Sequence, residues 1–335
     1  ICILRVSRNI NYVLLKVIKI EKIMENQDIK NISIFKKIII KLRIFLFGKI
    51  KYKDKFGLSY FLWPNTRPID TYQRGVRTDD ETLLQLVLRI TKTLNNTNKP
   101  TVCFDVGGFM GIVTLTMLKG VNGNGIVHTF EPVRRNHARI VKNVELNGFS
   151  NAVINNMAVS NYSGLGLHNL THEGGDDFLQ KLNNDSGNLM GENIILDKDL
   201  SRRDMDTDVS SKQLTLVMSL HKYMDTCSID WVDILKVDAE FTDHLVLQGA
   251  QEHFYNHHFG FILIEYNKGD GCAEELLNML LDADYKIYYM VRNTGQLVKN
   301  LKDYPKECKK CLNIMAVSNN ISDDICNEII DGLLI

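Results

Sequence analysis

From residue 78 onward, apolar and polar positions alternate in blocks whose periods distinguish helices from strands. TDDETLLQLVLRITKTL, 78–94, places apolar residues at helical spacing behind Thr78 or Asp79 as N-cap and predicts a helix. TVCFDV, 101–106, is a short β-rich run. GIVTLTMLKG, 111–120, predicts a helix with a glycine stop, and GIVHTFEP, 125–132, a strand closed by Pro132. VRRNHARIVKNVELNG, 133–148, predicts a helix ended by Gly148, and AVINNMAVS, 152–160, a third strand. A polar stretch, 161–212, rich in Asn, Asp, Gly and Ser, then interrupts the pattern, with one strand candidate at LTLVMSL, 214–220. The alternation resumes with a buried strand at 231–240, a helix at 241–254, a strand at 259–267 and a helix at 272–283. Two final strands, 285–291 and 312–318, have no helix between them.

Strand, helix, strand at this spacing predicts parallel pairing through right-handed crossovers, and two strands without an intervening helix can pair antiparallel. The expected fold is α/β: a three-layer Rossmann-like sheet of about seven strands, mostly parallel, with an antiparallel last strand. A ligand is expected at the carboxyl ends of the strands. The expected division is a basic extension over 1–70, a catalytic domain over 71–320 with the polar insertion 161–212, and a C-terminal tail over 321–335.

Charge sharpens this division. The 335 residues balance to a net charge of zero, yet residues 1–60 carry 14 Lys and Arg against 4 Asp and Glu. Within that arm, NISIFKKIIIKLRIFLFGKI, 31–50, predicts a basic amphipathic helix. Packing of its apolar face on the main domain is the favoured reading; peripheral contact with an anionic membrane surface is the other. WPNTRP, 63–68, reads as a linker or turn. Residues 1–23 precede the first methionine, Met24, and carry no fold expectation. No run of 18 apolar residues predicts a membrane-spanning helix, and Lys16 and Lys19 break the segment that follows Arg5 and Arg8, so no cleavable signal is expected. Seven scattered cysteines are expected to be reduced thiols in a cytoplasmic protein. Cys308 and Cys311 have metal-ligand spacing but no second ligand pair, so no metal is expected there.

The candidate chemistry starts at CFDVGGFMG, 103–111. Gly107, Gly108 and Gly111 permit a tight turn and close approach to a ligand, and Gly111 opens a helix whose amides favour an anionic group. Asp105 at the strand end can receive an ammonium, so the loop suits a zwitterion such as an amino-acid moiety. Glu131, 26 residues after Asp105, ends the second strand, where an acidic residue accepts hydrogen bonds from ribose hydroxyls. The spacing is D-x-G-G-x-x-G, not the G-x-G-x-x-G that supports a pyrophosphate, which favours an aminoacyl cofactor such as S-adenosyl-L-methionine over NAD. In VDAEFTDH, Asp238 and Glu240 end the fourth strand, and Asp238, Glu240 and His244 are the candidate bases. An oxygen-ligand set of Asp238, Glu240, Glu265 and Asn267 offers a metal reading, set against a carboxylate cluster bound to Lys236 or to substrate.

FDVGGFMG, FEPVRRNHARIVKNVELNG, MAVSNYSG, ILKVDAEFTDHLVLQGA and FILIEYN resemble, in order and spacing, the FkbM-type methyltransferases over about 95–318. The resemblance implies a class I S-adenosylmethionine-dependent fold, O-methylation of a hydroxyl, and cofactor contact at Asp105, Gly107 and Glu131. The candidate cofactor-binding set is Asp105, Gly107, Gly108, Gly111, Glu131 and Pro132. Two positions depart from the family pattern: Gly108–Phe109 stands for Ala-Asn, and Phe241 and Asp243 stand for Gly and Glu. The expected acceptor is a hydroxyl of a small molecule or glycan, with no nucleic acid. The competing readings are a nucleic-acid methyltransferase, a decayed cofactor-binding domain and an NAD-dependent oxidoreductase.

Overall fold

A computed structural model describes residues 49–63, 78–97, 99–171, 178–181, 209–239, 242–267, 272–291, 294–300 and 311–334. The chain divides into two units, residues 1–52 with 61–75, and residues 53–60 with 76–335. Strands β1 (Ile50–Lys53) and β2 (Ser59–Leu62) each straddle the boundary. In the first unit, Lys49 Nζ lies 3.7 Å from the centroid of the Phe61 ring. The amphipathic helix expected over 31–50 lies outside the described residues up to 48, and its last residue, Ile50, begins β1. Residues 64–68 of the expected linker also lie outside them. Among the described residues, no helix is long and apolar enough to cross a membrane.

In the second unit the alternation follows the periodicity closely. Helix α1 (Thr78–Asn95) leads to strand β3 (Thr101–Val106), helix α2 (Ile112–Val121), strand β4 (Gly125–Phe130), helix α3 (Arg134–Leu146) and strand β5 (Ala152–Asn155). Most of β3 is buried, which is why TVCFDV reads as a nearly unbroken apolar run.

The run 152–160 is not one strand. After Asn155 the chain leaves the main sheet, and β6 (Ala158–Val159) joins a second sheet with β7 (Gly164–Thr171), β8 (Phe178–Lys181) and β9 (Val209–Met218) in the order β6-β9-β7-β8. The two asparagines fix the turning point. Asn155 Nδ2 donates to Thr129 O at 3.2 Å, and Asn156 Nδ2 donates to Glu131 O at 2.9 Å. The polar insertion therefore opens and closes on strands, and its middle, 182–208, lies outside the described residues.

Helix α4 (Leu220–Cys227) follows, capped by the Ser219 side chain, which accepts from Lys222 N. The apolar run 214–220 masks this start in the sequence. Strand β10 (Val232–Val237) comes next, and the predicted helix 241–254 is two helices, α5 (Asp243–Gln248) and α6 (Glu252–Tyr255). The break lies where Gly249 presses on Ser160: a Cβ there would stand 2.2 Å from the Ser160 carbonyl oxygen. Gln251 then takes a left-handed φ of 47°. Strand β11 (Phe259–Asn267), helix α7 (Ala273–Asp282), strands β12 (Lys286–Met290), β13 (Leu297–Val298) and β14 (Cys311–Val317) and helix α8 (Asp323–Ile330) complete the unit.

The main sheet has eight strands in the order β13-β12-β14-β11-β10-β3-β4-β5. Seven are the expected strands, and the eighth, β13, is a two-residue edge. Pairing is parallel from β11 to β5, and β14 runs antiparallel to both β11 and β12. The order reverses between β3 and β10, and this is the switch point where the carboxyl ends open a crevice. Residues 321–335, expected as a tail, instead contain α8: Cys326 and Ile329 are buried, and Arg89 of α1 donates to Glu328 O at 2.8 Å.

Phe104, Phe130 and Tyr223 pack edge to face beneath the crevice, and His128 Nδ1 bonds Tyr223 Oη at 2.8 Å. Burial pushes the His128 pKa down to about 4 from an ordinary 6.5. The folded state then binds fewer protons than the unfolded chain, so this contribution is present above 6.5 and lost as pH falls towards about 4. His128→Gln is expected to flatten the decline in urea-measured stability across that window relative to the unmodified protein.

Candidate functional site

Strands β3, β4 and β10 end side by side, and their register sets the chemistry. Lys236 of β10 pairs with Asp105 of β3, and Val237 with Val106. The loop 107–111 then turns over these ends. Gly107 N and Gly108 N both donate to Phe130 O, at 3.0 and 3.1 Å, and Asp238 N donates to Val106 O at 3.1 Å. Gly107 has φ of +80°, and a Cβ on it would stand 1.9 Å from the Asp238 carbonyl oxygen, so this position requires glycine twice over. At Gly108 a Cβ would meet Thr129 Cγ2 at 2.4 Å and Ile140 Cδ1 at 3.0 Å; these side chains fill the space that the family's usual alanine would take. Gly111, with φ of 82°, precedes α2 and has no side chain to cap it, and Asp105 accepts from the Thr114 backbone amide in the first turn.

Beneath the loop lies a buried cation between carboxylates. Lys236 is 5% exposed; its Nζ is 2.9 Å from Asp238 Oδ2 and 4.0 Å from Asp105 Oδ1. Burial alone would favour its neutral form, but the charges of Asp238 and Asp105 outweigh it and raise its pKa to about 12. Asp105 is fully buried, and burial raises its pKa against the opposing pull of Lys236. Asp105 Oδ2 accepts from Thr114 Oγ1 at 2.6 Å, while Oδ1 has no hydrogen-bond partner. The residue expected to receive a ligand's ammonium thus faces the chain's own ammonium, under the loop.

Glu131 is 4% exposed, and backbone amides engage both of its oxygens: Phe109 N donates to Oε2 at 2.7 Å and Val133 N to Oε1 at 2.8 Å. It braces the loop against the end of β4. Pro132 is held from the second sheet: Gln213 of β9 donates to Pro132 O at 2.6 Å and accepts from Arg134 N at 3.1 Å.

The candidate bases are not equivalent. Asp238 is partly exposed at the end of β10. Glu240 and Phe241 lie outside the described residues, as do the side chain of Asn267 and residue Cys308. His244 is 7% exposed, and its imidazole groups with Cys272 and Glu275, whose ligating atoms lie within 4.8 Å of it, at the start of α7. A helix position following a strand end fixes where a residue starts but not which neighbour its side chain meets.

Three site residues were not legible as such. Asp243 Oδ1 accepts from Ala239 N at 2.7 Å and so holds the turn after Asp238. Burial first, then the nearby Asp238 charge, pushes its pKa up to about 7, with Glu265 adding to the rise. Asn143 Nδ2 donates to Met110 O at 2.9 Å, fastening the loop from α3, and Thr114 fastens Asp105. The departure of Asp243 from the family pattern was the only signal for any of them.

The geometry defines a class: a doubly wound α/β domain with a glycine loop, a carboxylate and a switch-point crevice at the carboxyl strand ends. The family model described as "Methyltransferase FkbM domain" matches residues 105–287, more than half of the chain, and the chain belongs to this family. It is a methyltransferase of that family. No curated protein sequence matches the chain. Among solved structures it is similar to the methyltransferase FkbM of Methylobacillus flagellatus KT, with 14% identity, TM-score 0.39, and coverage of 65% of this chain and 44% of that one. It is also similar to TYW2 of M. jannaschii, solved in complex with AdoMet, with 11% identity, TM-score 0.39, and coverage of 80% and 85%. A third is the precorrin-6y C5,15-methyltransferase of Geobacter metallireducens, with 9% identity, TM-score 0.33, and coverage of 68% and 88%. Likeness at these scores carries no functional argument.

The residues present fit an aminoacyl nucleoside cofactor: a helix start whose preceding residue, Gly111, has no side chain, a glycine loop in which positions 107 and 108 leave no room for a Cβ, and Glu131 at the end of β4. Phe109 departs from the family at the loop's apex, with a left-handed φ of 51°. Asn takes up that conformation at less cost than Phe. Phe109→Asn is expected to raise urea-measured stability by about 0.5–1 kcal/mol, because the strain goes while the amide bond to Glu131 stays. The buried triad gives the opposite outcome. Lys236→Met strands two carboxylates and is expected to cost roughly 3 kcal/mol, part of which Asp105→Asn in the same chain restores.

Proposed function

We propose that the protein transfers the methyl group of S-adenosyl-L-methionine to a hydroxyl oxygen of a small molecule or glycan. The observation that carries this reading is the convergence at one switch point of the D-x-G-G-x-x-G loop, Glu131 and the Lys236–Asp238 pair. When bound, the cofactor supplies an electrophilic methyl group on a sulfonium sulfur. The loop 107–111 and the amides ahead of Thr114 at the start of α2 receive its carboxylate, and Glu131 orients its ribose.

Methyl transfer is an in-line displacement, so the chain must align the acceptor oxygen and take its proton. Asp238 is assigned to that task. Lys236 holds its Oδ2 in place, and Asp243, through the Ala239 amide, shapes the turn behind it. Asp105 compensates the Lys236 charge from below and acts as a positioning residue. Gln213 of the second sheet, one residue past the insertion, lies beside Pro132, which supports a role for the insertion in acceptor selection.

S-adenosylmethionine and S-adenosylhomocysteine are expected to raise the melting temperature, and NAD to leave it unchanged. Absence of a shift with the first two overturns the reading. Asp238→Asn is expected to keep the shift while lowering methyl transfer to hydroxylated acceptors by about 10²-fold or more. Unaltered turnover removes Asp238 from the mechanism.

A further inference from the structure

A second cluster of metal-ligating side chains sits on α4 and α6, beside the amino ends of β10 and β11 and thus at the opposite end of the sheet from the crevice. His258 immediately precedes β11, and its carbonyl accepts from Val232 N, the first residue of β10, at 2.9 Å. His221 and Asp225 are one helical turn apart on α4, and His253 comes from α6. Their ligating atoms lie within 4.8 Å of one another. His221 Nε2 is 3.4 Å from Asp225 Oδ2, and His253 Nε2 is 3.2 Å from Asp225 Oδ1. A tetrahedral Zn²⁺ with bonds of about 2.0–2.1 Å sets its ligand atoms about 3.3 Å apart. Each imidazole therefore stands at about that distance from one oxygen of Asp225, and the two imidazoles lie within 4.8 Å of each other.

We propose that His221, Asp225 and His253 bind a divalent transition-metal ion of the zinc type, with His258 as the supporting residue behind them. The tautomers make the assignment chemically consistent. His253 Nδ1 lies 2.9 Å from His258 Nδ1, so one of these nitrogens carries the proton. When His253 Nδ1–H donates to His258, the lone pair on His253 Nε2 is free to bind a metal, the arrangement that supported metal-ligating histidines adopt. His221 Nδ1 is buried without a hydrogen-bond partner, so this ring offers the cluster only Nε2 and, unlike His253, has no supporting acceptor. Asp225 is 51% exposed, which leaves an entry path and a position for water as the fourth ligand. Two imidazoles and one carboxylate suit zinc better than calcium or magnesium, which favour all-oxygen shells.

The ion would join α4 to α6, and the turn between α5 and α6 is already tied to α4, since His221 N donates to Gly249 O at 3.0 Å. Its role is that of a clamp on the fold. The test titrates the full chain with Zn²⁺ against a chromophoric chelator, and with Co²⁺ by absorption. One equivalent is expected to bind with nitrogen and oxygen ligation and to raise the melting temperature. Asp225→Asn and His253→Gln are each expected to weaken Zn²⁺ binding at least tenfold, and His258→Phe by about 10–100-fold. Because Asp225 is half exposed, its substitution tests the site without disturbing the core. The proposal is overturned by no Zn²⁺ binding, by unchanged affinity in Asp225→Asn and His253→Gln, or by a thiolate charge-transfer band on Co²⁺ that persists in both.

Discussion

The crevice depends on one buried ammonium. Lys236 sits between the Asp105 and Asp238 carboxylates where β3 and β10 run in parallel register, and its charge lets the two strands end together with carboxylates on both. Without it, two like charges would face each other in a region shielded from water, and the strand ends would separate or the carboxyls would take up protons. The close approach of Gly107 to the Asp238 carbonyl requires the same alignment. The glycine loop and the acidic strand end are thus two faces of a single constraint.

Above that cation the loop is braced on three sides. Phe130 O receives two loop amides, Glu131 receives a third, and Asn143 takes the Met110 carbonyl. These bonds hold Phe109 in a left-handed conformation that an aromatic residue resists. The departures at 108 and 109 differ in kind. Gly108 is balanced by Thr129 and Ile140, which occupy the missing methyl's space, whereas Phe109 stores strain in the loop just before α2.

Much of this was legible in the chain. Apolar periodicity placed α1 to α3, β3, β4, β10 and β11 within a residue or a few of their observed ends, and the acidic position before the glycines separated this loop from the pyrophosphate pattern. The errors cluster where distant contacts override local pattern. The run 152–160 splits because two asparagine amides are drawn to the end of β4. The helix 241–254 breaks because Gly249 meets Ser160. The C-terminal segment folds because Arg89 of α1 caps it through two carbonyls.

By itself the sequence determined the doubly wound order, the family and the glycine loop after β3, since each is written in short-range spacing that the backbone periods enforce. Only the tertiary structure decided the roles of the acidic residues. Asp105 became a buried counter-ion, Glu131 a brace, Asp243 a carboxyl titrating near neutrality and His244 a partner of α7, while Asp238 remained in the open. The physical reason is that a side chain's charge state and partners follow from burial and from strand register, both set by residues far away in the chain.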